Sequence, residues 1–313
     1  MSMDSDGILH ESADASAGER ATFPDGTRRN RLVAVVDGSV YSESVCDHAA
    51  WFAKRANATI DVVHVIGRRQ GLSDESNLSG NIGLGARTAL LAELAELDAR
   101  RAKLGQKRGR AILLDAEARL KADGADSVRT RLRNGEIVES VQVLEKDADL
   151  LVLGKRGEGA DFDTMHLGSN LERVVRSTHK PVLVAARAFR EITRFLVAFD
   201  GGRSAMQAID FITARPHYDD LPCHLVTIGS DTTATRGPLE EAAARLRDAG
   251  FSVETEIRAG QPETGIARAV EEHAADLLVI GAYGHSRIRN MIIGSTTSAL
   301  LASCKVPVLL FRG

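Results

Sequence analysis

The sequence predicts an α/β protein made of two tandem domains, each a five-stranded parallel sheet flanked by helices, and three observations carry the prediction. Short apolar runs of strand length occur five times in each half, separated by stretches of helical spacing. The runs are apolar throughout rather than alternating, as in strands buried on both faces of a parallel sheet. The second half repeats the order of the first at a near-constant offset, which marks an internal duplication. Alternating strands and helices with short links imply right-handed crossovers and helices on both faces of the sheet.

Residues 1–28 are rich in Ser, Ala, Gly and Asp with few large apolar groups, so burial there cannot offset the entropy of ordering, and a mobile acidic tail is expected. The first domain is set at 29–190. It opens on Arg31-Leu32-Val33-Ala34-Val35-Val36, with Asp37 at the strand's carboxyl end. A helix follows from Ser42 to Ala56, where Val45, Ala49, Phe52 and Ala53 share a face, and Thr59 to Val65 is the second strand. An insertion of about 67–124 comes next, first a loop and then a helical pattern in which Leu90, Leu94, Leu97 and Leu104 share a face, with breaks expected near Gly105 and Gly109. Strands at Ser127–Arg133, Asp149–Gly154 and Pro181–Ala186 alternate with helices at Glu136–Lys146 and Asn170–Ser177.

The second domain, 191–313, retraces this path. Phe195 to Ala198 leads to Asp200 as β-strand one led to Asp37, and Cys223–Ile228, Phe251–Arg258, Asp276–Gly281 and Pro307–Leu310 follow. Gly260-Gln261-Pro262 stands where Asn134-Gly135 stood, and the long second connection shrinks to a helix at Leu239–Ala249.

Composition narrows the function. The formal net charge is −3, and the first 28 residues alone hold six acids against Arg20 and Arg28, so no basic excess marks a nucleic-acid binder. Cys46, Cys223 and Cys304 are far apart and pair with no histidine at ligand spacing, which predicts reduced thiols, no metal site and a cytoplasmic setting. No apolar run approaches the ~18 residues of a membrane span, and the N-terminus lacks a signal-peptide pattern.

The chemistry is concentrated after the fourth strand of the second half. Gly281-Ala282-Tyr283-Gly284 continues to His285, Arg287 and Arg289 and closes on Gly294-Ser295-Thr296, just before a helical Ala299-Leu300-Leu301. Glycines let backbone approach a ligand, and the N–H groups and positive dipole end of the next helix favour an anion. The pattern Gly-x2-Gly-x9-Gly-Ser-Thr is neither the Walker nor the dinucleotide spacing. It resembles the nucleotide loop of the universal stress protein family, and the span 29–313 resembles two such domains in tandem. The resemblance implies Rossmann-like, adenine nucleotide alpha hydrolase-like domains that bind ATP, with Mg2+ as an optional companion.

Carried over residue by residue, the resemblance gives Asp200 the ribose or adenine side and Val226 or Thr227 the backbone bonds to adenine. Gly260 and Pro262 shape the floor, and Gly281, Gly284, His285, Arg287, Gly294, Ser295 and Thr296 line the phosphate path. The first half retains Asp37, Gly154, Gly157, Gly168 and Ser169 as a weaker second site. Its loop is one residue longer and sets Glu158, Asp161 and Asp163 where phosphates would lie, against Lys155 and Arg156. Like charges at ~4 Å cost on the order of 1 to 4 kcal/mol each. The C-terminal site is therefore the expected binder.

No nucleophile–base pair and no Walker lysine is present, so ATP turnover is expected to be slow at most. The leading expectation is a stress-response nucleotide sensor read by unknown protein partners. An adenylate-handling enzyme would need His-x-Gly-His or Ser-Gly-Gly-x-Asp-Ser, which Gly284-His285-Ser286 and Asp200-Gly201-Gly202-Arg203-Ser204 only approach. A nucleotide-independent scaffold is the other alternative. The family resemblance implies pairing through the final strand, Pro307 to Phe311, either with a twin chain as a homodimer or between the two halves of one chain.

Overall fold

A computed structural model of the chain describes residues 30–67, 84–157 (backbone alone at 84–89), 167–215, 218–281 and 294–312. The tail at 1–28 and the loop part of the insertion at 68–83 lie outside them. The first half contains β1 (Arg31–Val35), α1 (Tyr41–Ala56), β2 (Thr59–Ile66), α2 (Leu84–Ala122), β3 (Val128–Asn134), α3 (Ile137–Glu145), β4 (Leu150–Gly154), α4 (Ser169–Ser177) and β5 (Val182–Ala185). The second contains β6 (Phe195–Ala198), α5 (Arg203–Thr213), β7 (Cys223–Ile228), α6 (Thr233–Asp248), β8 (Val253–Arg258), α7 (Pro262–Glu272), β9 (Leu277–Gly281), α8 (Ser295–Ser303) and β10 (Val308–Phe311).

Each half is an all-parallel five-stranded unit, but the two do not form separate sheets. They join into one ten-stranded sheet of order β3-β2-β1-β4-β5-β10-β9-β6-β7-β8. The joint is the antiparallel pair β5–β10, with Leu183 opposite Leu309. Because β10 also pairs with β9, its edge is filled within the chain, and pairing of the two halves is the arrangement realised. The outer edges are β3 (VRTRLRN) and β8 (VETEIR), whose alternating charges discourage further strand addition.

Two apolar layers enclose the sheet. Residues of α1, α2, α5 and α6 pack on one face and those of α3, α4, α7 and α8 on the other, each layer continuous through both halves. A charge inside this core has a specific partner. Asp61 on β2 is fully buried, and its carboxylate accepts from Arg31 Nε on β1 at 2.8 Å.

Two helices depart from expectation. The insertion helix α2 runs unbroken for 39 residues, about 58 Å at 1.5 Å per residue. Its glycines do not break it. A Cβ at Gly109 would stand 2.6 Å from Leu132 Cδ1 and 2.9 Å from His64 Cδ2, so glycine here admits the helix onto β2 and β3. The helix α6 begins at Thr233, before Pro238 rather than after it. Thr232 caps it by accepting from the Thr235 N–H at 3.2 Å, and Pro238 lies within the second turn.

Cations cross the β5–β10 seam in both directions. Lys155, from the loop after β4, donates to the Cys304 carbonyl at the end of α8. Arg312, just after β10, donates to the carbonyls of Arg176 and Thr178 at the end of α4. Each helix thus receives a cation from the other half at its negative end. On the opposite face Trp51 of α1 stacks on Tyr218 with ring centroids 5.8 Å apart, and the Tyr218 hydroxyl donates to the Phe52 carbonyl at 3.3 Å.

Candidate functional site

In both halves the candidate residues gather outside the carboxyl ends of the strands, where the strand order reverses between β1 and β4 and again between β6 and β9. In the first half, Val36 continues β1 by donating its N–H to the Val63 carbonyl at 2.9 Å, and the chain then turns through Gly38 at φ +80°. The turn is held by Asp37 and Ser42. Asp37 Oδ1 accepts from the Ser39 N–H at 3.0 Å, while Ser42 Oγ accepts from the N–H groups of Asp37 and Gly38 at 3.2 and 3.0 Å. The carboxylate is thereby fixed at the mouth of the strand.

The glycine loop closes on this turn. A Cβ on Gly154 would stand 2.7 Å from Tyr41 Cβ, so the end of β4 touches the start of α1. One on Gly157 would stand 2.8 Å from Asp37 Oδ2. Gly168 folds back over the same loop, its N–H donating to the Lys155 carbonyl at 3.1 Å, and Ser169 opens α4. Between these groups and the ends of β2 and β3 lies a cleft of about 840 Å³, lined by Asp37, Val65, Gly135, Gly154, Arg156, Gly157, Gly168, Ser169 and Arg173. Its size falls within the range of small-molecule sites, and its floor holds positions where any side chain would fill the space.

The charges of this cleft differ from the sequence expectation. Lys155 was set beside Arg156 against the phosphate path, but its side chain leaves the cleft for the seam, where burial pushes its pKa down to about 8. Arg173, one turn into α4, was not anticipated. Its guanidinium faces the cleft and pairs with Glu136 at 2.9 Å. The sequence signal was its spacing, since a residue four after Ser169 returns to the same helix face. Glu158, Asp161 and Asp163 lie outside the described residues.

The second half repeats the construction with different side chains. Phe199 donates its N–H to the Val226 carbonyl at 2.8 Å, Gly201 turns at φ +72°, and Asp200 Oδ1 accepts from the Gly202 N–H at 2.8 Å. A Cβ on Gly281 would stand 2.8 Å from Ser204 Cβ, the counterpart of the Gly154–Tyr41 approach. Where His64 Nδ1 meets the Val36 carbonyl at 2.8 Å in the first half, Thr227 Oγ1 donates to the Phe199 carbonyl at 2.8 Å in the second. The carbonyl of Val226 and the hydroxyl of Thr227 therefore tie β6 to β7. Gly260 turns at φ +128° and Pro262 opens α7.

Gly294 precedes α8, with Ser295 exposed in its first turn. The Thr296 hydroxyl donates to Glu263 Oε1 on α7 at 2.6 Å, a bond that holds the Glu263 carboxyl below its ordinary pKa. This carboxylate was missed from sequence, because nothing in the spacing of Glu263 and Thr296 shows that the starts of α7 and α8 meet. Gly284, His285 and Arg287 lie outside the described residues. Among the described residues no cluster of three His, Cys, Asp or Glu is disposed to hold a metal. A Mg2+ here would have to be held chiefly by phosphate and water oxygens. No described helix is long and apolar enough to cross a membrane.

Comparison with known proteins gives a consistent picture. The profile of the universal stress protein family matches residues 28–186 and again 191–312. The chain is 39% identical over 287 residues to the universal stress protein Slr1230 of Synechocystis, covering 90% of this chain and 99% of that protein. It is 24% identical over 308 residues to the universal stress protein Rv2005c of Mycobacterium tuberculosis, covering 91% and 98%. A universal stress protein crystal structure from Archaeoglobus fulgidus superposes with a TM-score of 0.69 at 20% identity, over 90% of this chain and 98% of that one, a likeness of fold.

Proposed function

The chain belongs to the universal stress protein family, matched in tandem by its two halves, and from that premise we propose that it is a cytoplasmic ATP-binding sensor with little or no turnover. The nucleotide sits mainly in the C-terminal half. Asp200 orients the ribose or adenine side, the β7 end with Val226 and Thr227 borders the base, and Gly281, Gly284, His285, Arg287, Gly294, Ser295 and Thr296 form the phosphate path. Protein partners read the loaded or empty state. Asp37, Gly154, Gly157, Gly168 and Ser169 form a weaker second site.

The observation that carries the preference is the withdrawal of Lys155. The first half's loop spends its lysine on the Cys304 carbonyl, which leaves Arg156 from the loop and, from α4, Arg173, already paired with Glu136. The second half's loop brings Arg287 and Arg289 with no acid between Gly281 and Gly294. Binding of an anion at either site is supported by the N–H groups that open α4 and α8, which have no carbonyl partner within their own helix. Each of these helices is nine residues long. The Ser44–His48 pair, 3.2 Å apart, is buried away from the cleft lining and Ser44 Oγ donates to the Ala186 carbonyl, which supports slow turnover.

Calorimetry with ATP on the wild type, Asp200→Ala and Asp37→Ala, with phosphate release followed in parallel, tests the reading. Micromolar binding weakened at least about tenfold by Asp200→Ala and little by Asp37→Ala is expected, a change of about 1.4 kcal/mol. Absence of binding in the wild type would favour the nucleotide-independent scaffold. Rapid phosphate release would favour an enzyme.

A further inference from the structure

The insertion helix α2 uses only part of its length in the fold. From Gly109 onward it buries Leu113, Ala116 and Leu120 against the sheet layer. Before Gly109 it carries a leucine stripe that is partly buried at its start and exposed further on among the described residues. Leu97 and Leu104 are 42% and 67% exposed, and Leu90 and Leu94 are only partly buried. Leu90, Leu94, Leu97 and Leu104 follow the four–three–seven spacing of a coiled-coil seam. A contiguous apolar stripe of this kind, rimmed by charge, marks an interaction surface.

The charges on the same stretch say what covers it. Glu93, Glu96 and Asp98 fall together with no base among residues 93–98, and Arg100, Arg101, Lys103, Lys107, Arg108 and Arg110 follow with no acid among residues 100–110. The ion pairs within the helix, Arg100–Glu96 at 2.6 Å and Arg101–Asp98 at 3.9 Å, join exposed groups and the half-buried Asp98, which water reaches and a partner can exchange. A helix acidic in one half and basic in the next complements itself when reversed. We propose that the α2 arm docks antiparallel on the α2 arm of a second copy of this chain. In that register Leu94 lies opposite Leu104 of the second copy, the stem of Arg101 covers Leu97, and each acidic segment faces a basic one. A parallel pairing would set acid on acid and base on base. The final strand is already paired on both sides within the chain, so this arm offers a second copy a surface that β10 does not.

Sedimentation of the full chain over a range of concentrations, with a cysteine cross-link, tests the proposal. The native cysteines are all buried and do not interfere. The expected result is a concentration-dependent species of twice the chain mass. It is lost in Leu97→Lys/Leu104→Lys, surface changes that leave the circular dichroism spectrum unchanged and the Tm equal to that of the dilute wild type. On mild oxidation a mixture of Leu94→Cys and Leu104→Cys chains should cross-link, while neither does so alone. A monomer at every concentration overturns the proposal, as does a dimer that survives the double lysine variant. Cross-links within the Leu94→Cys chain alone overturn the antiparallel register.

Discussion

Lys155 is the residue at which site and seam compete for one charge. Its ammonium is buried and its pKa pushed down to about 8, chiefly by desolvation, from an ordinary 10.5. Below pH 8 both the folded and unfolded chains hold this proton, and the cost of burying the charge is present in full. Between about 8 and 10.5 the unfolded chain binds more protons, so this group's contribution to stability rises with pH. Relative to Lys155→Met, the wild type should gain up to about 3 kcal/mol of unfolding free energy across that window, read by urea denaturation at successive pH values. A parallel pH dependence in the two proteins would show that the ammonium is not desolvated. Asp61 poses the opposite case, a fully buried carboxylate paired with a buried arginine. Asp61→Ala leaves Arg31 without this partner and should cost about 3–5 kcal/mol in the same assay. Asp37 and Asp200 could be placed from sequence because each ends an apolar run. The destination of Lys155 could not, because it depends on which helix the other half brings across the seam.

At the scale of elements, α2 shows where local spacing misleads. Two glycines four residues apart read as a break, yet the helix is continuous because its carboxyl half is fastened to the sheet. The two positions should respond with opposite signs. A Cβ at Gly105 meets Ile66 Cγ2 at an ordinary 3.8 Å, so Gly105→Ala should stabilise by up to about 1 kcal/mol through helix propensity. Gly109→Ala drives a methyl into Leu132 and into His64, whose ring is held by the Val36 carbonyl. An overpacking cost of about 1–3 kcal/mol should exceed the propensity gain, and thermal melts of the two variants check both signs. The strands were legible to within a few residues because a parallel core demands uninterrupted apolar runs. The start of α6 was not, because Pro238 reads as a boundary while the helix begins at the Thr232 cap six residues before it.

Taken whole, the molecule is one sheet with two continuous apolar layers rather than two beads on a string. The duplication was plain in the sequence, and so was the possibility that the two halves pair. That they do pair was not, since a final strand such as Val308–Phe311 suits a twin chain equally well. The shared layers imply one unfolding transition. Trp51, the chain's single tryptophan, stacks on Tyr218 of the other half. Its fluorescence should change together with the far-UV circular dichroism of the whole chain in urea, and separated midpoints would show that the halves unfold independently. The claim on which the functional account rests is that nucleotide is held at the start of α8 more than at the start of α4. Hydrogen exchange of the full chain with and without ATP tests it most directly. The account predicts that amides at Gly281 and through Gly294–Ser303 slow on adding ATP, while those at Gly154 and through Gly168–Ser177 change less. Protection confined to the first half, or protection nowhere, would contradict it.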